Sequence, residues 1–152
     1  MEIVVNEWLL DYMLPDSTKQ QKDFVVQFID IWINRCDRVL IRRPSPFVNK
    51  FYRYWKSIEN DQASRKRFKL LNSLLFLNSD KTRIIDDADV QPLPMELSQK
   101  VPMDDKYLIE LAYVSTDKIV ITTDAKLKDK LKDEQALKIY LLEDFIKEVK
   151  AN

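Results

Sequence analysis

The chain has no glycine and no histidine among its 152 residues. Each absence closes off a kind of chemistry. A phosphate-cradling P-loop and a dinucleotide fingerprint both need glycine where the backbone approaches phosphate, so neither is expected. Without histidine there is no His-based triad, no imidazole general base and no ordinary zinc site. Cys36 is the one cysteine, which excludes an internal disulfide and fits a reducing compartment. No apolar run approaches the ~18 residues that a membrane span needs. The opening "MEIVVNEWLL" carries an acid at position 2 and no basic leading region, unlike a secretory signal. The expected location is therefore the cytoplasm, with no membrane partner. Carboxylates, hydroxyls, lysine, tyrosine, one thiol and hard cations bound through oxygen remain available for chemistry.

The length suits a single domain over residues 1–152 with one sizeable core. Lys plus Arg and Asp plus Glu number 25 each, so the net charge is zero, but the charges are not evenly spread. Residues 35–69 hold eleven Lys or Arg against Asp37, Glu59 and Asp61, a local +8, which leaves −8 elsewhere. A basic segment opposite an acidic remainder suits an anionic polymer together with a cation site. The plainer reading of the same charges is a solvated helical face.

Strand-like and helix-like segments alternate along the chain. "EIVV" (2–5) reads as a first strand, followed by a short helix over Glu7 to Met13 that Pro15 stops. "DSTKQQ" offers N-caps for the next helix, with a polar stripe at Asp23, Gln27, Asp30, Asn34 and Asp37 opposite Phe24, Phe28, Ile31 and Trp32. "RVLIR" (38–42) is a second strand, and Ser45 with Pro46 opens a helix as N-cap and first helical residue. A further helix starts near Asp61, and "KTRII" is a short strand. "DDADVQPLPMELSQKVP" reads as a loop with at most one helical turn. Asp104 can cap a helix to about Val114, with Leu108, Leu111, Ala112 and Ser115 on one face. "KIVIT", the most strand-like segment, is followed by "AKLKDKLK" as a short helix, "LKIYLL" as a last strand and "EDFIKEVK" as a closing helix. This alternation predicts a three-layer α/β/α fold around a mainly parallel sheet of four to five strands.

In such sheets ligands sit beyond the carboxyl ends of the strands. Asn6 and Glu7 follow the first strand, Thr123 and Asp124 follow "KIVIT", and Asp104 and Asp105 open the helix that feeds it. If those two strands are neighbours, these groups converge, and several oxygen ligands with open water positions suit Mg²⁺ or Mn²⁺. Taken singly, each residue has a plainer role. An Asp after a strand caps the next helix, the Asp104–Asp105 pair is an ordinary helix start, and Asn6 is a turn residue.

Three stretches resemble the PIN-like domain, the metal-dependent nuclease fold of many toxins in toxin–antitoxin pairs: "IVVNEWLLDYMLP", "DDKYLIELAYVSTDKIVITTDAKL" and "LKIYLLEDFIKEV". They cover both ends of the chain, while residues 44–100 are similar only in helical character. The resemblance implies that Asp105, seven residues before Ala112, and Asp124 hold the metal, with Thr122 or Thr123 as the supporting hydroxyl. It also exposes two departures. Asn6 stands where the family has its first acid, so Glu7 or Asp11 would have to substitute. Asn49 and Lys50 stand where the family has its second, and Asp86, Asp87 and Asp89 could lean in from the loop that follows the third strand. Lys50 would repel a cation, pair with Asp105 or hold a phosphate.

Three functions follow as expectations. The first is a Mg²⁺- or Mn²⁺-dependent endoribonuclease, toxin-like, with an antitoxin-like partner. Asp105, Asp124, Asp104 and Glu7 would form its metal site with Asn6 assisting. Arg42, Arg43, Lys50, Arg53, Lys56 and Thr123 would hold RNA, and Tyr52, Tyr54 or Trp55 would stack on unpaired bases or simply pack in the core. The second is a degenerate PIN-like scaffold that binds RNA or a protein without cutting. The third is an oligomerisation module in which "LLNSLLFL" pairs two copies as a homodimer.

Overall fold

Nine consecutive-strand residues are buried on both sides of the central strands: Ile3, Val4 and Val5, then Val39, Leu40 and Ile41, then Ile119, Val120 and Ile121. Apolar runs of this kind belong to parallel sheets covered on both faces. The computed structural model describes residues 1–152 and contains that sheet. Its strands are β1 (Glu2–Val5), β2 (Arg38–Arg43), β3 (Thr82–Asp86), β4 (Ile119–Thr122) and β5 (Lys138–Leu141), all parallel, in the order β3-β2-β1-β4-β5.

The two-residue period of the strands divides the core. Ile3, Val5, Val39, Ile41, Ile119 and Ile121 face one layer, a cluster of 26 buried residues. That layer is built with α1 (Trp8–Asp11), α2 (Lys19–Asn34), α3 (Pro46–Ser57), α4 (Gln62–Phe76) and α8 (Leu142–Ala151). Val4, Leu40, Ile85 and Val120 face the other, a cluster of 13 formed with α5 (Met95–Lys100), α6 (Lys106–Val114) and α7 (Ala125–Lys130). The result is the three-layer α/β/α architecture, with five strands.

Local signals explain the starts of α2, α3 and α4. Thr18 and Gln21 form a capping box on α2, Ser45 accepts the Val48 N–H at the head of α3, and Asp61 accepts the Ser64 N–H at the head of α4. Leu108, Leu111, Ala112 and Ser115 are all buried, as their shared face predicts. Three expectations need correction. α1 ends at Asp11, short of Met13. Asp37 lies beyond α2 and is buried in the connection to β2, so it does not extend the polar stripe. The proline-rich stretch before α6 contains a six-residue helix, α5, where at most one turn is expected, because Leu97 and Val101 are drawn into the smaller core layer.

A backbone without glycine has few ways to turn left-handed, and one residue does so, Lys118 at φ 55°. The Ser115 hydroxyl secures this turn, accepting the Lys118 N–H at 2.9 Å while donating to the Ala112 carbonyl at 2.6 Å. No helix is long and apolar enough to cross a membrane.

Strand order places the site. The chain steps outward from β1 through β2 to β3, then returns to the far side of β1 for β4 and β5. The reversal falls between β1 and β4, where open α/β sheets form their ligand crevice beyond the carboxyl ends of the strands.

Candidate functional site

β1 and β4 pair with Val5 opposite Ile121, so the next residues, Asn6 and Thr122, are neighbours. The Asn6 side-chain amide donates to the Thr122 hydroxyl at 3.4 Å, and its carbonyl oxygen accepts the Glu7 N–H at 2.7 Å. Thr122 is fully buried, and its hydroxyl also accepts the Asp124 N–H at 3.1 Å. Of the two threonines, Thr122 is the one whose hydroxyl meets Asn6 and Asp124. Thr123, expected among the RNA contacts, is exposed and lines a separate cleft with Tyr12, Phe24 and Leu142. Successive strand residues point to opposite faces, which sends the two threonines apart.

Asp124 takes its plainer role: one oxygen, Oδ1, accepts the Lys126 and Leu127 N–H groups at 3.0 and 3.2 Å and caps α7. Asp104 and Asp105 do not. Asp104 sits in a 3₁₀ turn and Asp105 at the boundary of α6, and neither side chain caps the helix. Asp105 instead meets other acids. Burial raises its carboxyl above the ordinary range, and Asp124, Asp104 and Glu7 raise it further, against a small opposing pull from Lys130. Asp105, Asp124, Asp104 and Glu7 thus share one electrostatic neighbourhood.

The cation of this edge is a side chain. Lys50 Nζ lies 2.9 Å from Asp11 Oδ1 and 3.2 Å from Glu7 Oε2. Burial opposes the ammonium charge, but Asp11 and Glu7 outweigh it and hold Lys50 above its ordinary value. The Tyr54 hydroxyl donates to Asp11 Oδ1 at 2.7 Å, and the Lys50 ammonium lies over the Tyr54 ring at 5.3 Å. The Tyr107 hydroxyl donates to Glu7 Oε1 at 3.5 Å. Burial first, then Glu7, raises the Tyr107 phenol. Lys50 therefore pairs with Glu7 and Asp11, and the expected pairing with Asp105 does not form. Tyr107 was not singled out by sequence reasoning, although it lies two residues beyond the Asp104–Asp105 pair.

These donors do not fit a divalent ion as arranged. No group of three or more Asp, Glu or Cys side chains is disposed to hold a metal. Glu7 is engaged by Lys50 and Tyr107, the Asn6 carbonyl by Glu7 N–H, and one Asp124 oxygen by the α7 cap. Asp86 caps its own 3₁₀ turn and Asp87 lies 2.5 Å from Arg42 Nε, so neither leans toward the edge.

The expected phosphate contacts divide. Arg42 is held by Asp87 and by Glu110 at 3.2 Å, and Lys50 by Glu7 and Asp11, so both are removed from the set of free cations. Arg43 and Arg53 are exposed, form no ion pair and lie over the Phe76 and Tyr54 rings. Tyr54 is occupied by Asp11, whereas Tyr52 is 55% exposed and stacks on Phe76. A scan against protein-family models and a search of curated proteins found no match to the chain.

Proposed function

We propose that the chain is a PIN-like scaffold that binds RNA without cutting it. The observation that carries this reading is the Lys50 ammonium between Glu7 and Asp11. A fixed positive charge between Glu7 and Asp11 offsets one of their two negative charges and opposes entry of a divalent ion. The basic segment supports the RNA partner. Of its eleven cations, Arg35, Arg38, Arg42 and Lys50 form ion pairs, all by residue 50. Of the cations from Arg53 to Lys69 none has a carboxylate partner, and all but Arg67, which is held by the Met13 carbonyl and the Ser64 hydroxyl, are exposed and available to phosphate.

Titration calorimetry with Mn²⁺, paired with an RNA cleavage assay, tests the reading. The expected result is no saturable heat and intact RNA that remains bound and weakens with salt. Saturable Mn²⁺ uptake with cleavage that disappears in the Asp105→Asn, Asp124→Asn double variant overturns it in favour of a metal-dependent ribonuclease. The raised carboxyl of Asp105 among Asp124, Asp104 and Glu7 is the observation that favours that second reading.

A further inference from the structure

Two cavities flank the α3–α4 corner, of about 230 Å³ and about 380 Å³, and share Trp55 and Arg65 in their walls. The first is completed by Gln62, Lys66 and Lys69, the second by Lys56 and Glu59. The spacing explains why these residues meet. Gln62, Arg65, Lys66 and Lys69 stand at i, i+3, i+4 and i+7 of α4, a single polar face opposite the buried Ser64, Phe68 and Leu71. Tyr52, Trp55, Lys56 and Glu59 repeat that spacing along and just beyond α3. The cleft therefore joins two helical faces around one half-buried indole.

Its charge is unbalanced. Lys56, Arg65, Lys66 and Lys69 face a single acid, Glu59, a local +3. None of the four cations forms an ion pair; Arg65 only donates to the Glu59 backbone carbonyl at 3.4 Å. Trp55 is held edge-to-face by Phe51 at 5.4 Å, which gives the indole a fixed setting. A rigid aromatic surface flanked by unpaired cations matches a nucleotide whose base is unpaired: the base stacks and the flanking phosphates meet the lysines and arginine. A duplex offers the phosphates without a free base. An acidic peptide offers carboxylates without a flat partner for the indole.

We infer that the α3–α4 cleft is a binding site for single-stranded RNA, with Trp55 stacking on a base and Lys56, Arg65, Lys66 and Lys69 holding the phosphates on either side. This rests on the RNA-binding reading above and assigns it a location separate from the strand-end acids. Trp8 and Trp32 are buried in the core, so Trp55 is the tryptophan whose emission an RNA ligand would change.

The test is fluorescence anisotropy of labelled oligouridylate of roughly ten nucleotides, within the usual single-strand site size. It is run with the full chain, with duplex RNA and poly-glutamate as competitors. The wild type binds the single strand with a log–log salt slope of about −2 to −3, as three to four phosphate contacts require. Trp55→Ala weakens binding roughly tenfold or more and Trp55→Phe restores most of it. Lys66→Glu with Lys69→Glu abolishes binding, whereas Lys19→Glu with Lys126→Glu, the same change in net charge at exposed sites elsewhere, leaves it within about twofold. Circular dichroism confirms that each variant is folded. Binding that survives both Trp55→Ala and the Lys66, Lys69 reversal overturns the cleft while leaving RNA binding intact. Absence of wild-type binding overturns both readings. Equal displacement by duplex RNA or poly-glutamate overturns the single-strand assignment.

Discussion

At the amino-terminal end of the sheet Glu2 is surrounded by partners; at the carboxyl end Asp105 feels chiefly the charge of other acids. Glu2 is 6% exposed, and burial alone would raise its carboxyl. The Thr116 N–H and hydroxyl at 2.8 and 2.9 Å, with Arg83 at 2.9 Å, reverse that and bring it down to about 2, and Arg38 pairs with the same carboxylate at 3.1 Å. Asp105 has no such donors, and burial and neighbouring charge act in the same upward direction. The difference separates a carboxylate that holds the fold together from one that the fold tolerates. Groups kept in an unfavourable state by their surroundings are the ones that mark sites.

Breaking the well-supported end gives the largest effect. Glu2→Gln leaves Arg38 and Arg83 without a counter-charge. A carboxyl moved from 4.5 to about 2 corresponds to about 3 kcal/mol at neutral pH, reduced toward about 2 because both arginines are two-fifths exposed. Glu2 is depressed in the fold, so its contribution is full above pH 4.5 and is lost as pH falls toward 2. Chemical denaturation of the two proteins should converge at the acid end of that window. Identical stabilities at pH 7 would show that Glu2 is not what ties β1, β2 and β3 together.

Next comes Lys50→Ala, which leaves Glu7 and Asp11 facing each other. Because the pair is half-buried, the expected cost is about 1–2 kcal/mol, below that of a fully buried pair. Lys50 is raised in the fold, so its contribution is present below its ordinary 10.5 and declines as pH rises beyond that. Melting curves with and without Mn²⁺ sharpen the comparison. The variant should be stabilised by Mn²⁺ where the wild type is not, and equal responses would show that Lys50 does not stand in for a cation.

Asp105→Asn should have the opposite sign to Glu2→Gln, a gain of about 0.5 kcal/mol at pH 7. Its raised carboxyl means the gain is full once Asp105 is ionised and vanishes as pH falls through the raised value to 3.8, where wild-type Asp105 is also neutral. A destabilised Asp105→Asn protein would remove the contrast between the two ends. The smallest effect belongs to Lys118→Gly. Relief of a left-handed residue, about 1 kcal/mol, is largely offset by the freer unfolded chain, leaving about 0.2 kcal/mol. This change should be independent of pH, which separates backbone strain from charge in the same assay.

The sheet was legible because its central strands are continuous apolar runs, and the Ser45–Pro46 and Asp61 starts were legible because caps act within four residues. The neighbouring of β1 and β4, which brings Asn6 to Thr122, followed from the pattern only as a condition. What escaped was of longer range. Lys50 and Asp11 are far apart in the chain, and nothing local distinguishes a lysine that will be captured by two acids from one free to hold phosphate. The same holds for Arg42, which Asp87 and Glu110 reach from other elements. Thr122 and Thr123 are adjacent letters with opposite directions, and strand phase decides between them. The α5 helix was hidden by prolines, whose effect on a helix depends on whether they precede it or interrupt it.

Lys118 has one more implication. With every other residue in right-handed or extended backbone, no position requires a bare Cα. Outside the six prolines, alanine can stand anywhere but at 118 without meeting a left-handed main-chain penalty. A complete alanine scan of this chain would therefore report side-chain chemistry almost undiluted, a clarity that glycine-rich proteins deny to the same experiment.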